Sequence, residues 1–282
     1  MPELPEVETV CRGLNQITLN QEIQGSEVLL ERSLAYPSSL IEFERAIQGA
    51  KIALWKRRGK YLLAQLTHPE SKLAGTLGVH LRMTGQLLWL NQEESLSKHT
   101  RIRLFFEGKK ELRFVDIRTF GKVWWVPPNK ELTEIITGLK KLGPEPFASD
   151  FSPVYLQQRL SRKKRVIKTA LLEQELVAGI GNIYADEVLF KSKIRPDAIA
   201  CDLNSQQIAS LHQAIVEVLS LAIEQGGTTF SDFLNLLGVN GNYGNVAWVY
   251  GRTGEPCRVC GSTIERVKLG GRSSHFCPNC QS

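Results

Sequence analysis

Two cysteine pairs near the C-terminal end, Cys257-Arg258-Val259-Cys260 and Cys277-Pro278-Asn279-Cys280, are separated by sixteen residues. Two residues between cysteines let one tight turn aim both sulfurs at a single ion. The intervening stretch carries Gly261, Gly270 and Gly271 among Thr263, Ile264, Val267 and Phe276, enough for a two-stranded hairpin that returns the chain to that ion. The chemistry expected is a tetrahedral Zn2+ site filled by four thiolates, which folds the hairpin and leaves no position open for a reacting water. A pair of disulfides would use the same cysteines and is the competing reading. Cys11 and Cys201 stand alone and read as small packed side chains.

At the other end stands Met1-Pro2-Glu3-Leu4-Pro5-Glu6. Removal of the initiator methionine would leave Pro2 with a free secondary amine, and an α-amino group has a reference pKa of about 7.7–8.0. Such an amine attacks an aldehyde-level carbon to give an iminium ion, an electron sink. Glu3 is a carboxyl group placed to act as acid and base beside it. The bland reading is a helix start, where proline and acids are both favoured. A third motif is Gly179-Ile180-Gly181-Asn182. Two glycines before a helix let a phosphate approach backbone N–H groups, and Asn182 adds a side-chain donor. An ordinary helix–helix turn would also account for it.

These residues need a scaffold. From about 14 to 126 the chain reads as short strands, among them 61–66, 85–90, 101–106 and 111–114, with helices near 5–14 and 38–48. Many short strands between turn residues argue for a β-sandwich or barrel. Pro127-Pro128 and Gly143-Pro144-Glu145-Pro146 mark a linker. Beyond it the period is helical, over about 153–160, 165–174, 182–191, 204–224 and 229–236. The plan is α+β and multidomain. It runs from an N-terminal β-sandwich domain (1–130) through a linker (131–149) and a helical domain (150–245) to a zinc-binding β-hairpin (246–282).

Hydrophobic content of 42% and charged content of 23% suit a soluble protein, and no apolar run reaches the roughly 20 residues of a membrane span. The N-terminus lacks the basic-then-apolar order of a secretion signal, so a cytoplasmic, reducing location is expected. The net charge of +6 favours a polyanionic partner. The clusters Lys56-Arg57-Arg58-Gly59-Lys60 and Arg162-Lys163-Lys164-Arg165 suit either solvent or phosphate, and the basic zinc hairpin tips the balance towards nucleic acid.

In chain order stand Pro2 to Thr9, Lys60-Tyr61-Leu62-Leu63, Asp116-Ile117-Arg118-Thr119-Phe120-Gly121, Leu142 to Pro146, Gly179 to Tyr184, and the cysteine hairpin. Together they closely resemble bacterial-type formamidopyrimidine-DNA glycosylase, the 8-oxoguanine DNA glycosylase and abasic-site lyase family. The resemblance spans essentially the whole chain. It implies a β-sandwich, a helix–two-turn–helix domain and a zinc finger, with double-stranded DNA carrying oxidised bases or abasic sites as partner and a monomer as the acting form. By it, Pro2 is the nucleophile, Glu3 assists base loss, Lys60 is the proton donor in β-elimination and Arg272 the one in δ-elimination. His99, Lys163, Asn182 and His80 correspond to DNA contacts. Met83, Arg118 and Phe120 correspond to the side chains that fill the hole left by an extruded nucleotide. Apart from the resemblance, Lys60 reads as a surface charge, Arg272 as a hairpin residue, Met83 and Phe120 as core, and His80 as a satisfied strand histidine.

Two departures stand out. Arg101 sits where many relatives have a second histidine, and the segment 234–246 corresponds less well, although Thr228-Thr229 before it fits. The alternatives are an endonuclease VIII-type enzyme for oxidised pyrimidines, which Leu4 disfavours, and a non-catalytic zinc DNA-binding protein.

Overall fold

The computed structural model describes residues 1–68, 71–228 and 241–282. The helix expected over 229–236, Thr229 and residues 234–240 of the divergent segment lie outside the described residues. By packing the chain divides in two, residues 1–140 with 226–228 and 241–242, and residues 141–225 with 243–282.

The first unit opens with helix α1 (Leu4–Thr18). Its start is a capping box: the Glu3 side chain accepts from the backbone N–H of Glu6, and the Glu6 side chain accepts from that of Glu3 at 2.7 Å. Leu4, Val7, Val10, Cys11 and Leu14 form its buried face. Then come β1 (Gly25–Val28), β2 (Leu34–Tyr36), α2 (Leu40–Ile47), β3 (Lys51–Arg58), β4 (Tyr61–His68), β5 (Ser71–His80), β6 (Gly85–Asn91), β7 (Thr100–Phe106), β8 (Lys110–Asp116), β9 (Lys122–Val126) and α3 (Leu132–Ile135). One sheet has the order β1-β7-β8-β6 and the other β2-β9-β5-β4-β3. Alternate residues of β7, namely Thr100, Ile102, Leu104 and Phe106, are buried, as period-two patterning requires. Ile102 lies opposite Phe114 and Leu104 opposite Leu112. One apolar cluster joins these to Ile52, Trp55, Leu62, Leu77, Val79 and Val123 of the other sheet, and to Val10, Leu14, Phe43 and Ile47 of the helices. Both sheets and both helices thus share one core, the sandwich expected from sequence.

The second unit contains α4 (Pro153–Leu160), α5 (Ile167–Leu171), α6 (Asn182–Lys191), α7 (Ser205–Glu224), α8 (Tyr243–Val246) and the hairpin β10 (Glu265–Leu269) and β11 (Arg272–Phe276). An Asn204–Gln207 capping box starts α7, and Ile208, Leu211, Ile215, Leu219 and Ala222 face inward as the spacing predicts. Helix α6 packs on α7 and on β11 and is buried from Ile183 to Phe190. Helix α5 is shorter than the expected 165–174. Leu172 N–H bonds to Lys168 and Glu173 N–H tightens to Ala170, while the Gln174 carbonyl accepts from Gly143. The backbone leaves the helix there because the Gln174 side chain spans the turn, donating to Leu172 and Ile180 and accepting from Gly179 N–H. Gly179 has φ +95°, a conformation that disfavours a side chain.

Candidate active site

Pro2 and Glu3 are both buried, Glu3 at 2% exposure, so the capping carboxyl and the proline ring are packed rather than frayed. Side-chain hydrogen bonds fix α1 against β3. The Glu8 carboxylate takes hydrogen bonds from Arg57 and Arg12, each at 2.8 Å. Burial pushes the Glu8 carboxyl up, but the two guanidinium groups outweigh it and hold it below the usual range. Asn15 donates to the Trp55 carbonyl and accepts from Trp55 N–H, at 2.9 Å each. Glu6, 1% exposed, also accepts from the N–H and hydroxyl of Thr228 at 2.7 and 3.0 Å, tying the chain start to that residue.

Lys60 lies in the β3–β4 turn and is 6% exposed, which excludes the surface-charge reading. His80 is 7% exposed, with the Tyr61 ring edge-on at 4.5 Å. Burial, Arg82 and Lys60 lower its pKa to about 3, so the ring is neutral at physiological pH. Its Nδ1 accepts from Arg82 N–H at 3.0 Å, which leaves the proton on Nε2. A charged phosphate contact from His80 is therefore disfavoured; the ring is a neutral strand histidine with one N–H to offer.

Met83 and Phe120 are 40% and 50% exposed, so neither is core. The exposed Arg118 guanidinium lies over the Phe120 ring at 5.0 Å. His99 is partly exposed, and its Nδ1 is 3.2 Å from the Arg101 guanidinium. Arg101 also donates to the carbonyls of Lys98 and Asp116.

In the second unit, Lys163 and Arg165 both pair with Glu173, which sequence reasoning did not single out. Asn182 begins α6, and its side-chain N–H donates to the Ser273 carbonyl at 3.2 Å. Ser273 is adjacent to Arg272, which is exposed at the start of β11. Lys168, Asp186 and His275 form a buried line beneath: Lys168 pairs with Asp186 and donates to Ser273, and Asp186 accepts from His275 N–H and Nδ1 at 3.0 and 2.9 Å. Glu187 is wholly buried, which raises its pKa despite N–H donors from Trp248, Val249 and Tyr250. Neither acid was legible in the sequence, because the donors lie 18 and 89 residues from Asp186 and about sixty from Glu187.

The four hairpin cysteines have sulfurs within 4.8 Å of one another. Cys260 and Cys277 are 3.4 Å apart, and Cys257 and Cys280 3.9 Å. Tetrahedral zinc with Zn–S of about 2.3 Å sets sulfurs about 3.8 Å apart, so the set fits the ion. Val259 N–H points at Cys257 Sγ and Cys280 N–H at Cys277 Sγ, both at 3.4 Å, supplying outer hydrogen bonds to thiolates. Spacings near 3.4–3.9 Å rather than about 2.05 Å describe ligands rather than bonded disulfides.

Three family models match the chain: the formamidopyrimidine-DNA glycosylase N-terminal domain over residues 1–123, its H2TH domain over 142–233, and a zinc finger found in FPG and IleRS over 254–282. Curated proteins called formamidopyrimidine-DNA glycosylase are similar along their length. That of Rippkaea orientalis is 64% identical, covering all of both chains; that of Nostoc punctiforme is 62% identical, covering all of this chain and 96% of the relative. Among solved structures, the Lactococcus lactis FPG mutant G226P with Fapy-dG DNA superposes with TM-score 0.90 at 36% identity over all of both chains. The Thermus thermophilus MutM (FPG) protein gives 0.87 at 36% identity over 99% of this chain and 98% of that one. With a buried proline–glutamate start, a four-sulfur hairpin and matches from residue 1 to residue 282, the chain belongs to the formamidopyrimidine-DNA glycosylase family.

Proposed function

We propose that this base-excision repair enzyme, a DNA glycosylase and abasic-site lyase, removes oxidised purines such as 8-oxoguanine and formamidopyrimidines through Pro2. Loss of Met1 frees the Pro2 nitrogen, whose lone pair attacks C1′ of the damaged nucleotide as the C1′–base bond breaks. Glu3 protonates the departing base and takes the proton that the Pro2 nitrogen sheds on forming the C1′–N bond. It returns that proton to O4′ as the C1′–O4′ bond breaks to leave an iminium. The resulting iminium acidifies C2′, so a proton leaves there and the 3′ phosphate is expelled with help from Lys60. A second elimination expels the 5′ phosphate, with Arg272 as donor. Hydrolysis of the iminium returns the free amine. Each elimination conserves electrons, so no redox partner enters.

The observation that carries the reading is the burial of Pro2 and Glu3 at a hydrogen-bonded helix start. A buried Pro2 beside a capping Glu3 holds the nucleophile in place once Met1 is removed, whereas a DNA-binding protein without catalysis has no use for one. His99, Arg118 and Lys163 contact the DNA backbone or bases, Asn182 grips a phosphate with its second amide N–H, and Met83, Arg118 and Phe120 fill the vacated stack. His80 contributes at most a neutral N–H donor. When bound, Zn2+ holds the hairpin that carries Arg272 and performs no step. The protein acts as a cytoplasmic monomer on double-stranded DNA. Among the described residues no helix is long and apolar enough to cross a membrane.

Borohydride trapping on duplex DNA with 8-oxoguanine opposite cytosine tests this. Protein shown by mass to lack Met1 should form a covalent adduct that Pro2→Gly loses. An equal adduct in Pro2→Gly, or trapping only on oxidised pyrimidines, overturns it.

A further inference from the structure

Resting on that reading, we propose that Asp116 is the positioning residue for the side chains that enter the duplex, binding their separate loops to one buried carboxylate. Asp116 ends β8 and is 0% exposed. Its Oδ1 accepts from the Thr84 hydroxyl at 2.5 Å, and its Oδ2 accepts from Gly121 N–H at 2.7 Å. The Thr84 hydroxyl oxygen in turn accepts from Arg118 N–H at 3.0 Å. Asp116 N–H donates to the His99 carbonyl at 2.9 Å, and its own carbonyl accepts from Arg101 Nε at 2.8 Å. Through one residue the loops carrying Met83, Arg118 with Phe120, and His99 are all hydrogen-bonded together.

Both wedge loops are strained where the wedge side chains leave them. Arg82, beside Met83, has φ +55°, and Thr119, between Arg118 and Phe120, has φ +58°. Left-handed backbone at such residues persists only where surroundings over-determine it. Asp116 and Thr84 supply that determination from below. The Arg32 guanidinium adds a hydrogen bond to the Thr119 hydroxyl at 2.7 Å. The fit over the carboxylate is close: a Cβ on Gly121 would stand 2.5 Å from Phe114 Cζ and 3.0 Å from Asp116 Oδ2.

A carboxylate suits this post because it accepts on both oxygens and donates on neither. An amide there would turn an NH2 group against the Thr84 hydroxyl or the Gly121 N–H. Packing does not hold Met83 or Phe120, which are 40% and 50% exposed. Their direction is set by the backbone beneath, so insertion into the stack proceeds with little new ordering of the loops.

The test uses full-length, zinc-loaded enzyme and four variants. Thr84→Val removes the bridging hydroxyl at nearly constant volume, Thr84→Ser keeps it, Asp116→Asn replaces one acceptor, and Arg118→Ala removes a wedge side chain. Three signals are read: excision of 8-oxoguanine from duplex, fluorescence of 2-aminopurine placed opposite the lesion, and cleavage of a preformed abasic site in single-stranded DNA, which has no stack to fill. Thr84→Val and Asp116→Asn should lower duplex excision by about ten- to a hundredfold and abolish the 2-aminopurine change. Single-strand cleavage should stay at the wild-type level, and Thr84→Ser should give wild-type values of all three signals. Unchanged duplex excision in Thr84→Val and Asp116→Asn, or a parallel fall on both substrates, overturns the positioning role. An Arg118→Ala enzyme that keeps its 2-aminopurine signal would instead refute the wedge reading itself. Should Asp116→Asn fold poorly, Thr84→Val decides alone.

Discussion

The two units fix their functional side chains by different means. In the first, buried carboxylates, Glu6 and Asp116, accept hydrogen bonds from backbone N–H groups and hydroxyls beside a large two-sheet core. In the second, strand β11 is held by a metal-ligand set at one end and a buried ion pair in its middle. The contrast follows from how much apolar material each region owns. No residue of β10 is buried, and the apolar cluster around the hairpin is Phe190, Val249, Ile264 and the ligands Cys257 and Cys277, flanked by Trp248 and Cys280. Where the zinc ligands are themselves much of the core, hydrophobic burial cannot hold the fold alone.

Removing zinc should therefore have the largest effect. Structural zinc contributes about 10 kcal/mol or more to small metal-folded units at neutral pH. Chelation, or Cys257→Ser with Cys277→Ser, should release residues 254–282 to rapid proteolysis and hydrogen exchange while the β-sandwich keeps its protection. Retained protection of the hairpin in demonstrably zinc-free protein would remove the basis of the contrast.

Asp186→Ala comes next. Deleting one partner of a buried ion pair costs about 3–5 kcal/mol, because the other charge stays buried. Here the Lys168 ammonium and Asp186 carboxylate both sit at 0% exposure. The urea midpoint of the helical unit should fall accordingly, and the δ-elimination proposed for Arg272 should fall relative to Schiff-base trapping, since His275 loses its acceptor and the Lys168 ammonium that holds Ser273 loses its counter-charge. Lys168→Met with Asp186→Leu, which removes both charges, should cost far less. Equal losses in the single and double variants would show that the hydrogen bonds to His275, not the unpaired charge, matter there.

What the sequence made legible follows the same physics. Metal ligation dictates residue type and spacing together, so the four cysteines could be read without a fold. The presence of α1 and the inward face of α7 were legible because both signals are local. Met83 and Phe120 were ambiguous, since a wedge and a core residue share the same chemistry and only their exposure separates them. Asp116 stood inside a quoted motif yet gave no sign of its role, because its main partner, Thr84, is thirty-two residues away. The length of α5 was overread because Gln174, a good helix former, is used to span a turn instead.

A smaller effect separates a buried neutral group from a buried pair. His80 is held neutral, with its pKa lowered to about 3 from an ordinary 6.5. The unfolded chain takes up a proton below about 6.5 and the folded one does not. His80 thus leaves stability intact above that pH and erodes it as pH falls from 6.5 towards 3. At pH 5 the loss is about 2 kcal/mol. Urea midpoints at pH 7 and pH 5 should converge in His80→Gln relative to the parent; an undiminished gap would mean that another group titrates.

The smallest effect expected is at an ion pair that burial does not touch. Lys109 and Glu93 lie 2.7 Å apart, yet their side chains are 75% and 74% exposed. Water screens both charges, and ordering two long side chains offsets much of the attraction, so such pairs contribute about 0.2–1 kcal/mol. Glu93→Gln should shift the midpoint within that range, and less at 1 M salt, where the screening length falls to about 3 Å. The charges, type for type, resemble those of Lys168 and Asp186; exposure differs. If Glu93→Gln cost as much as Asp186→Ala, burial would not be what distinguishes them, and the ion pair beneath β11 would have no special claim to hold the strand that carries Arg272.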